Sequence, residues 1–560
     1  MKIFLAQQNY HIGNFEYNTS KIIAAIRDAQ SQGGDLIVFS ELSICGYPPR
    51  DFLCFEDFIK QCNKSLQQIV AAAEGIAVLV GAPQLNEQFV GKDLFNAVYF
   101  INNQKIEQVI QKTCLPTYDV FDEDRYFEPS NTWNVIELMG KRIAVTICED
   151  IWNLGNNPQY LICPMDKLIK QEPHLMINLS ASPFDYKHLS NRQSIIQANV
   201  LKYGLPMMYC NAIGSQTEIV FDGSSMVFDK DGEVCGRLAS FAEDMQGFIF
   251  NDAGGFEKLN TATQEKILPI HVAENYFDPS ENIAEVYNAL KLGIKDYFQK
   301  MGFTKAVLGS SGGIDSAVTL AIAVDALGAE QVNAILMPSA FSSAHSVDDA
   351  VALSKNLQNP YQIISIASIN DSFLQSLEPL FVGTAFGLAE ENIQSRARGN
   401  VLMAIANKFG YILLNTSNKS ELATGYGTLY GDMAGGISVL GDCYKMQVYA
   451  LAKYINRTKE IIPAHIITKA PSAELRPNQK DSDSLPEYEK LDKLLYLYIE
   501  KWMGPDEIKS MGFEHQLVDE ILKKVNTNEY KRNQFCPIIR ISPKAFGIGR
   551  RMPIVGKYLS

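Results

Sequence analysis

Short apolar runs alternate with longer amphipathic stretches along the first half of the chain. These runs predict strands at 2–8, 35–40, 77–83, 96–102, 106–112, 142–148, 175–182 and 205–214. Most of them are continuously apolar rather than alternating, which is typical of strands that are buried on both faces. Residues 18–32 have helical spacing, and Asp231-Gly232 predicts the turn of a hairpin over 225–236. The pattern favours an α/β fold.

The pattern changes between residues 251 and 285, where polar residues, Gly254-Gly255 and two prolines interrupt the apolar runs. We expect a linker there, between a first domain at 1–250 and a second at 286–560. A helix is predicted at 281–300 and another from Asp315, and strands are predicted at 305–309, 333–339, 361–367 and 411–417. This β–α alternation predicts a doubly wound parallel sheet. Residues 471–486 predict a long loop.

The composition is that of a large folded chain, with 560 residues, 46% hydrophobic and 20% charged. Fifty basic and 63 acidic residues give a formal charge of −13, which argues against a nucleic-acid or anionic-membrane partner but allows a local phosphate pocket. No apolar run approaches the roughly 18 residues that cross a bilayer. Ten cysteines without a C-x-x-C pair suit a reducing compartment. We therefore expect a cytoplasmic enzyme.

A glycine-rich segment lies between a predicted strand and a predicted helix in the second half. Paired glycines let the backbone approach a ligand, and the helix N-terminus directs N–H groups and partial positive charge at it, so the segment predicts a phosphate site. A plain capped turn is the alternative reading, and the strand–loop–helix context favours phosphate. A Walker loop is excluded because no lysine follows the glycines. The segment is Gly309, Ser310, Ser311, Gly312, Gly313, Ile314, Asp315 and Ser316.

The letters SGGIDS resemble the pyrophosphate-binding loop of the ATP pyrophosphatase superfamily. Residues 387–407, 414–436 and 471–486 resemble the synthetase domain of NAD⁺ synthetases, and the similarity covers 286–560. This resemblance implies an adenine nucleotide alpha hydrolase-like sheet that binds ATP and Mg²⁺. It also implies amidation of deamido-NAD⁺ to NAD⁺, with AMP and pyrophosphate as the other products.

The same resemblance implies a role for individual side chains. The glycine-rich loop, Thr416 and Lys445 would bind ATP; Asn392, Glu421 and Lys531 would bind deamido-NAD⁺; and Asp315 and Glu421 would hold Mg²⁺. Arg396 and Arg398 lie two apart on a predicted helix and cannot share one face, so neither is assigned and a solvated surface stays open for both. Ser482-Asp483 after Asp481 departs from the family pattern, which leaves a metal role there open.

Three chemically active residues of the first half stand at or just beyond the carboxyl ends of predicted strands. Glu41 follows 35–40, Lys112 ends 106–112, and Cys148 ends 142–148. Open α/β sheets place their ligands at such ends. Taken singly, a cysteine is most often a small core residue, and a glutamate or lysine at a strand end is most often solvated. Their joint position is what points to a catalytic set.

The segments FSELSICGYP, KTCLPTYDVFDEDRYF and TICEDIWN around these residues resemble the nitrilase-type carbon–nitrogen hydrolases over about 1–250, and in particular the glutaminase domains fused to NAD⁺ synthetases. The resemblance implies a four-layer α-β-β-α sandwich. It implies that Cys148 is the nucleophile, Glu41 the general base and acid, and Lys112 the oxyanion partner, with Glu123 as a supporting carboxylate.

Contacts to glutamine are implied by the same resemblance. They fall on Tyr118, Ser182, His188, Tyr47, Glu149 and Trp152. Which of Lys187 and His188 contacts glutamine stays open, and plain core packing is an equal alternative for Tyr47 and Trp152. A homo-oligomer is also implied, with dimer and octamer both open.

The fusion of the two halves suggests that ammonia passes between them, because only neutral amine attacks an acyl adenylate. Two rival interpretations fit the residues less well. One keeps the ATP loop but amidates another acceptor such as a nucleotide base, against which the TGYGTLYGD and PSAELRP segments speak. The other makes the first half a catalytically silent binding module, against which the set Glu41, Lys112 and Cys148 speaks.

Overall fold

Most of the predicted strands are present in the computed structural model, which describes residues 1–88, 90–154, 158–251, 254–258, 277–472, 474–476, 479, 481–483 and 485–559. The chain divides into two units, Met1–Val272 and Ala273–Ser560. The expected linker at 251–285 stays a prediction, because 252–253 and 259–276 lie outside the described residues.

Two β-sheets form the centre of the first unit. Its strands are β1 (Lys2–Gln7), β2 (Leu36–Val38), β3 (Ala77–Leu85), β4 (Leu94–Asn102), β5 (Lys105–Gln111), β6 (Ile136–Leu138), β7 (Lys141–Ile147), β8 (Leu175–Ser180), β9 (Met207–Asn211), β10 (Ile213–Gln216), β11 (Ile219–Asp222), β12 (Met226–Phe228), β13 (Val234–Arg237), β14 (Asp244–Phe250) and β15 (Phe256–Lys258). One sheet has the order β15-β14-β1-β2-β3-β4-β5 and the other β13-β12-β9-β8-β7-β6, while β10 and β11 form a separate hairpin.

Helices cover the outer faces of both sheets. They are α1 (Phe15–Ser31), α2 (Glu56–Ala72), α3 (Pro164–Leu168) and α4 (His188–Tyr203). Ile3 and Leu5 of β1 pack in the core between the two sheets. Their neighbour Phe4 points to the opposite face and packs with Ile22 of α1, as strand alternation requires. Ile196 of α4 packs on the second sheet. The predicted α-β-β-α sandwich is confirmed.

Some local predictions for this unit are confirmed and others are wrong. The hairpin over 225–236 is present, with β12 and β13 antiparallel and Gly232 at φ +84° in the turn. The run 205–214 is not one strand, because it divides into β9 and β10, which belong to different sheets. Strand β5 is not buried on both faces. It is the last strand of its sheet, and its side chains are half-buried or exposed.

A five-stranded parallel sheet forms the centre of the second unit. Its elements are α5 (Ile283–Met301), β16 (Ala306–Gly309), α6 (Ile314–Leu327), β17 (Val332–Leu336), α7 (Ala344–Leu357), β18 (Tyr361–Ile363), α8 (Ala367–Phe381), α9 (Leu388–Phe409), β19 (Ile412–Asn415), α10 (Lys419–Thr424), β20 (Ile437–Ser438), α11 (Lys445–Ile455), α12 (Ala464–Thr468), α13 (Tyr488–Ile499), α14 (Pro505–Ser510), α15 (His515–Thr527) and α16 (Glu529–Arg532). The order is β18-β17-β16-β19-β20, with every pair parallel.

The strand order of this sheet reverses at β16. From β16 the chain continues to β17 and β18 on one side and then returns to β19 on the other. Such a reversal opens a crevice at the carboxyl ends of the two central strands, where open α/β sheets bind ligands. Val307 packs against Ala397 and Leu402 of α9 on one face, and its equally buried neighbours Ala306 and Leu308 point to the other. The predicted doubly wound sheet is confirmed.

The strand predicted at 361–367 is shorter than expected, because β18 ends at Ile363. In the described part of the chain, no helix combines the length and apolar character that a bilayer crossing needs.

Close backbone contact fixes the loop that follows β2. A β-carbon added at Gly81 of β3 would overlap the backbone nitrogen of Leu42 and lie 3.0 Å from the carbonyl oxygen of Ser40. We expect Gly81→Ala to lower the free energy of unfolding by about 2 kcal/mol, because the loop must move or the strand must shift. Urea unfolding of the full chain measures this. Gly504→Ala, where the nearest atom lies at 3.5 Å, is the control. An unchanged midpoint for Gly81→Ala would contradict the prediction.

Candidate functional site

Cys148 begins a tight turn, Cys148–Ile151, directly after β7. Its φ of +40° lies in the left-handed region, which is unfavourable for a residue with a side chain and is concentrated at functional sites. The carboxylate of Asp150 accepts hydrogen bonds from the backbone N–H groups of Ile147, at 3.0 Å, and of Thr113 and Cys114, at 3.0 and 2.9 Å. Asp150 therefore fastens the cysteine turn to the segment that follows β5.

Lys112 lies between two carboxylates beneath this turn. Its Nζ is 2.7 Å from Oε1 of Glu41 and 2.8 Å from Oε1 of Glu123, and all three side chains are almost fully buried. The hydroxyl of Tyr47 donates to Oε1 of Glu123 at 2.8 Å, and the backbone N–H of Ala181 donates to Oε2 of Glu41 at 3.0 Å. The structure thus brings together Glu41 and Lys112 of the predicted catalytic set and Glu123, which the resemblance implied as a supporting carboxylate.

The charges of this cluster act on the Cys148 thiol. Burial raises the pKa of Cys148 well above its ordinary value, the negative charge of Glu41 adds to this, and Lys112 opposes it. Although burial acts against the charged form of Lys112, the carboxylates of Glu123 and Glu41 hold its pKa well above the usual range. The resting cysteine is therefore a neutral thiol beside a lysine that stays charged. A nucleophilic role requires a base that takes the thiol proton, and Glu41 is a carboxylate whose charge acts on this thiol.

Glu149 and Tyr118 form a second polar group beside the cysteine. The Tyr118 hydroxyl lies 3.1 and 3.0 Å from the two carboxylate oxygens of Glu149, and the Tyr160 hydroxyl lies 3.3 Å from one of them. Burial raises the pKa of Glu149 to about 7, against the opposing charge of Lys112. This carboxylate is thus held by neutral donors and has no cation in hydrogen-bond contact among the described residues, so it can meet the positive charge of a ligand.

Ser182, His188 and Trp152 also lie together. Ser182 Oγ is 2.7 Å from Nε2 of His188, and the imidazole stacks on the Trp152 ring with centroids 5.1 Å apart. Lys187 is buried, and its ammonium group lies 5.7 Å from the centre of the Tyr186 ring. Of the two basic residues between which the sequence left the choice open, His188 is the one that contacts both Ser182 and Trp152.

The glycine-rich loop of the second unit joins β16 to α6 at the reversal of strand order. Gly312 has φ +77°, and a β-carbon there would overlap the carbonyl oxygen of Ser346 in α7, so only glycine fits. Ser311 Oγ accepts from the Gly313 N–H at 3.2 Å and lies 3.1 Å from the Ser316 hydroxyl. The Ser310 hydroxyl is buried and has no hydrogen-bond partner among the described residues. The loop has the form of a phosphate cradle at a helix N-terminus.

Lys445, the first residue of α11, contacts two carboxylates beside this loop. Its Nζ is 2.5 Å from Oδ2 of Asp315 and 3.6 Å from Oε1 of Glu421. Asp481 lies near, where it accepts hydrogen bonds from two tyrosine hydroxyls, and its charge acts on both Lys445 and Glu421. Burial and the charge of Asp315 raise the pKa of Glu421 to about 8. Two carboxyl groups thus contact one ammonium and a third lies near, so acidic groups are in excess over the one cation.

This excess suits a hard cation. Mg²⁺ is commonly held by one or two protein carboxylates, with phosphate oxygens and water completing its octahedron, and Asp315 and Glu421 provide two such carboxylates beside the loop. Within the described residues, no three or more acidic, histidine or cysteine side chains converge on a metal position. The residues therefore fit a metal that arrives with phosphate and do not form a cage of their own.

Two of the remaining predicted residues of this unit contact the segment after α10. Asn392 Oδ1 accepts from the Thr428 hydroxyl at 2.8 Å, and Lys531 donates to the carbonyl oxygens of Gly425 and Gly427 at 2.7 and 2.9 Å. Thr416 follows β19 and is half-buried. Asn392 and Lys531 thus support the loop at 425–428, and its carbonyl groups already accept hydrogen bonds from the lysine.

Arg396 and Arg398 of α9 have different surroundings, as their spacing predicts. Arg396 Nε donates to the carbonyl of Leu429, and its side chain is exposed. Arg398 Nε donates to the carbonyl of Met337 at the end of β17, and burial lowers the pKa of its guanidinium.

Both halves of the chain match known families. Residues 2–246 match the carbon-nitrogen hydrolase family and residues 286–535 the NAD synthase family. The glutamine-dependent NAD(+) synthetase of Synechocystis sp. is 44% identical over 559 residues, which cover 99% of this chain and 98% of that protein. The chain belongs to the glutamine-dependent NAD(+) synthetase family. The synthetase of Thermotoga maritima is 40% identical over 583 residues, with 100% of this chain and 99% of that protein covered.

A solved structure of a family member agrees with the fold. The glutamine-dependent NAD+ synthetase from Acinetobacter baumannii, in complex with adenosine diphosphate, is 37% identical and covers 100% of this chain and 99% of its own, with a TM-score of 0.77. The synthetase from Cytophaga hutchinsonii is 18% identical with a TM-score of 0.80, which shows the shared fold alone. The α/β class expected from the sequence is therefore confirmed for both units of this synthetase.

Several residues that support the cysteine site were not found by sequence reasoning. Asn96 of β4 contacts both Glu41 and Glu123, Asp150 fastens the cysteine turn, and Tyr160 contacts Glu149. Arg192 is fully buried, forms an ion pair with Asp222 at 2.8 Å and also donates to the carbonyl of Ser182. A polar residue within an apolar run, such as Asn96, indicates a buried hydrogen bond. The sequence pattern does not indicate which residue is its partner.

The pKa of Glu149 gives a testable dependence of stability on pH. Burial raises this pKa from 4.5 to about 7, so the folded chain holds the proton more tightly than the unfolded chain, and stability falls as the pH rises between these two values. The glutamine side chain that replaces Glu149 in the variant Glu149→Gln cannot ionise. We expect Glu149→Gln to gain on the order of 3 kcal/mol relative to the parent from about pH 5 to about pH 8. Urea unfolding at both pH values measures the difference.

Glu137→Gln on β6 is the matched control for this change, because that side chain is exposed. Its stability should follow the parent at every pH. A Glu149→Gln difference that does not grow with pH would contradict the expected ionisation.

Proposed function

We propose that the chain forms NAD⁺ by amidating deamido-NAD⁺, with glutamine as nitrogen donor and with ATP converted to AMP and pyrophosphate. This is the last step of NAD⁺ biosynthesis. The observation that carries the proposal is full-length membership of the family together with an intact set of Glu41, Lys112 and Cys148 in the first unit. The intact set argues against a silent first half.

The first unit hydrolyses glutamine in two steps. The Cys148 sulfur attacks the side-chain carbonyl carbon while Glu41 takes the thiol proton and returns it to the departing ammonia, so that a glutamyl thioester and NH₃ are formed. Water then releases glutamate and restores the thiol. Lys112 has three N–H donors, of which Glu41 and Glu123 engage two. The third is available to the oxyanion that develops on the carbonyl oxygen.

The pocket residues bind the two ends of glutamine. The Glu149 carboxylate, positioned by Tyr118, meets the α-ammonium group, because it is buried beside the nucleophile and lacks a cation in hydrogen-bond contact among the described residues. Ser182 and His188 supply donors for the α-carboxylate, and the imidazole of His188 stacks on Trp152. Tyr47 supports Glu123.

The second unit activates the nicotinate carboxyl group. The carboxylate oxygen attacks the α-phosphorus of ATP, and pyrophosphate leaves toward the glycine-rich loop and Lys445. Ammonia then attacks the acyl adenylate, which releases AMP and leaves the amide. Thr416 contacts the adenosine part of ATP, and Asn392, Glu421 and Lys531 bind deamido-NAD⁺, either directly or through the loop at 425–428.

Asp315 and Glu421 would hold Mg²⁺ in this reaction. The ion neutralises charge on the ATP phosphates when it is bound. Lys445 then stands beside both carboxylates as the protein's own cation and stays charged, since Asp315 and Glu421 raise its pKa against the effect of burial.

A second copy of the chain covers an exposed apolar surface of the second unit, which makes the enzyme a homo-oligomer. Helix α8 has no buried side chain among its described residues. Around it, large apolar side chains are exposed at Phe373, Leu380, Val382, Phe386 and Leu388. Large apolar side chains that are exposed within one segment of the chain suit an interface.

We place the enzyme in the cytoplasm, because all ten cysteines are unpaired.

Removing the nucleophile separates the two activities. We expect Cys148→Ala to lose glutamine hydrolysis and glutamine-driven NAD⁺ formation by at least about a thousandfold, because no thioester can form. NAD⁺ formation from added ammonium, ATP and Mg²⁺ should stay within about twofold of the parent. Product analysis with each nitrogen donor measures both. Parent enzyme that forms no NAD⁺ with either donor would refute the proposal.

Ammonia produced in the first unit is expected to reach the second without mixing with the solvent. With unlabelled glutamine and ¹⁵N-ammonium added together, the amide of NAD⁺ should stay almost unlabelled, since the ammonia from glutamine reacts before it can mix with the labelled pool. Mass spectrometry of the product gives the ratio. If label entered the amide in proportion to the added ammonium, direct transfer would be wrong.

A further inference from the structure

Asn96 occupies a position in the first unit that neither the motifs nor the mechanism uses. It lies in β4 opposite Pro83 of β3, with 1% of its surface exposed. Its carbonyl oxygen accepts the backbone N–H of Lys112 at 2.8 Å, so its strand also fixes the start of the lysine segment. An amide side chain in a strand that is otherwise mainly apolar needs a reason, because burial of polar groups is unfavourable unless they are hydrogen-bonded.

The Asn96 side chain joins the two carboxylates that Lys112 also joins. Its Nδ2 donates to Oε1 of Glu41 at 2.8 Å and to Oε2 of Glu123 at 3.2 Å. With the two lysine contacts this closes a ring of four side chains in which two acceptors alternate with two donors. The amide uses both of its N–H groups in the ring. It therefore adds two donors to a pair of negative charges without adding a charge or a group that can titrate.

The hydrogen bonds to Glu41 divide its two oxygens into different roles. Oε1 accepts from both Lys112 and Asn96, whereas Oε2 accepts only the Ala181 N–H among the described residues. A carboxylate oxygen with two strong donors is a poor proton acceptor, since those bonds stabilise its negative charge. The proton from Cys148 therefore goes to Oε2. Removal of Asn96 would leave Oε1 with Lys112 as its one donor among the described residues and let the carboxylate turn.

We propose that Asn96 is a positioning residue for glutamine hydrolysis, which fixes the positions of Glu41 and Glu123 and leaves Oε2 of Glu41 as the oxygen that takes the cysteine proton. The inference rests on the proposed glutaminase reaction. Asn96 acts through the two carboxylates and not through the substrate. Its effect should therefore appear in the rate of the chemical step and in its pH dependence, and only weakly in the binding of glutamine.

The test compares Asn96→Ala and Asn96→Ser with the parent in the full-length chain. For Asn96→Ala we expect kcat for glutamine hydrolysis to fall about 30-fold, with KM changed by less than about threefold. The acid limb of the kcat/KM profile should move to higher pH by about one unit, because two carboxylates that lose two donors are harder to ionise together. Lys112, Tyr47 and Cys148 face the same pair and are unchanged. Asn96→Ser, which keeps one donor, should recover part of the rate.

Asn18→Ala is the matched control, since Asn18 is a buried amide of the same unit that donates only to backbone carbonyls, those of His11 and Ile44. It should lower stability without moving the acid limb. NAD⁺ formation from added ammonium should be unchanged in both asparagine variants. An acid limb that stays at the parent position in Asn96→Ala, or moves equally in Asn18→Ala, would overturn the inference. Parent enzyme that does not hydrolyse glutamine would instead refute the proposed function itself.

Discussion

The ammonium group of Lys112, buried between the carboxylates of Glu41 and Glu123, is the interaction on which the first unit depends. Removing ions from water costs several kcal/mol each, and loss of one partner of a buried pair typically costs about 3–5 kcal/mol. Each of these three charges is therefore stable in the interior only when the other two and the surrounding hydrogen-bond donors are present. Because each charge comes from a different segment, the strands must pair in register before the charges can meet, and the chemistry is tied to the correct fold.

The second unit also places one lysine beside two carboxyl groups, but next to a loop that suits phosphate. Its loop and acidic cluster leave more negative charge than Lys445 balances, and burial together with Asp315 keeps the pKa of Glu421 near 8. An arrangement of this kind is least stable without ligands and gains stability when a cation and phosphates arrive. The first unit thus has its charged side chains hydrogen-bonded to one another before its substrate binds, because it must hold a base and a nucleophile ready. The other is completed by the molecules on which it acts.

The sequence predicted those parts of the structure that local chemistry decides. The hairpin turn at Asp231-Gly232 and the loop around Gly312 follow from backbone preferences within a few residues. The strand ends that carry Lys112 and Cys148 follow from apolar runs. The exposure of β5 does not, since it depends on the order of strands in the sheet. Likewise, Asn96 contacts carboxylates 55 and 27 residues away along the chain, so no spacing rule connects them.

The carboxylate of Asp150 binds backbone amides on both sides of the cysteine site, from the end of β7 and from the segment after Lys112. A single side chain thereby fixes the end of β7, which leads to Cys148, relative to the segment that follows Lys112. The loops that connect these two segments can change in sequence, because Asp150 fixes the relative positions of nucleophile and cation without them. Grafting this hydrolase centre onto another scaffold would accordingly require the aspartate and its three amides to be moved as one block.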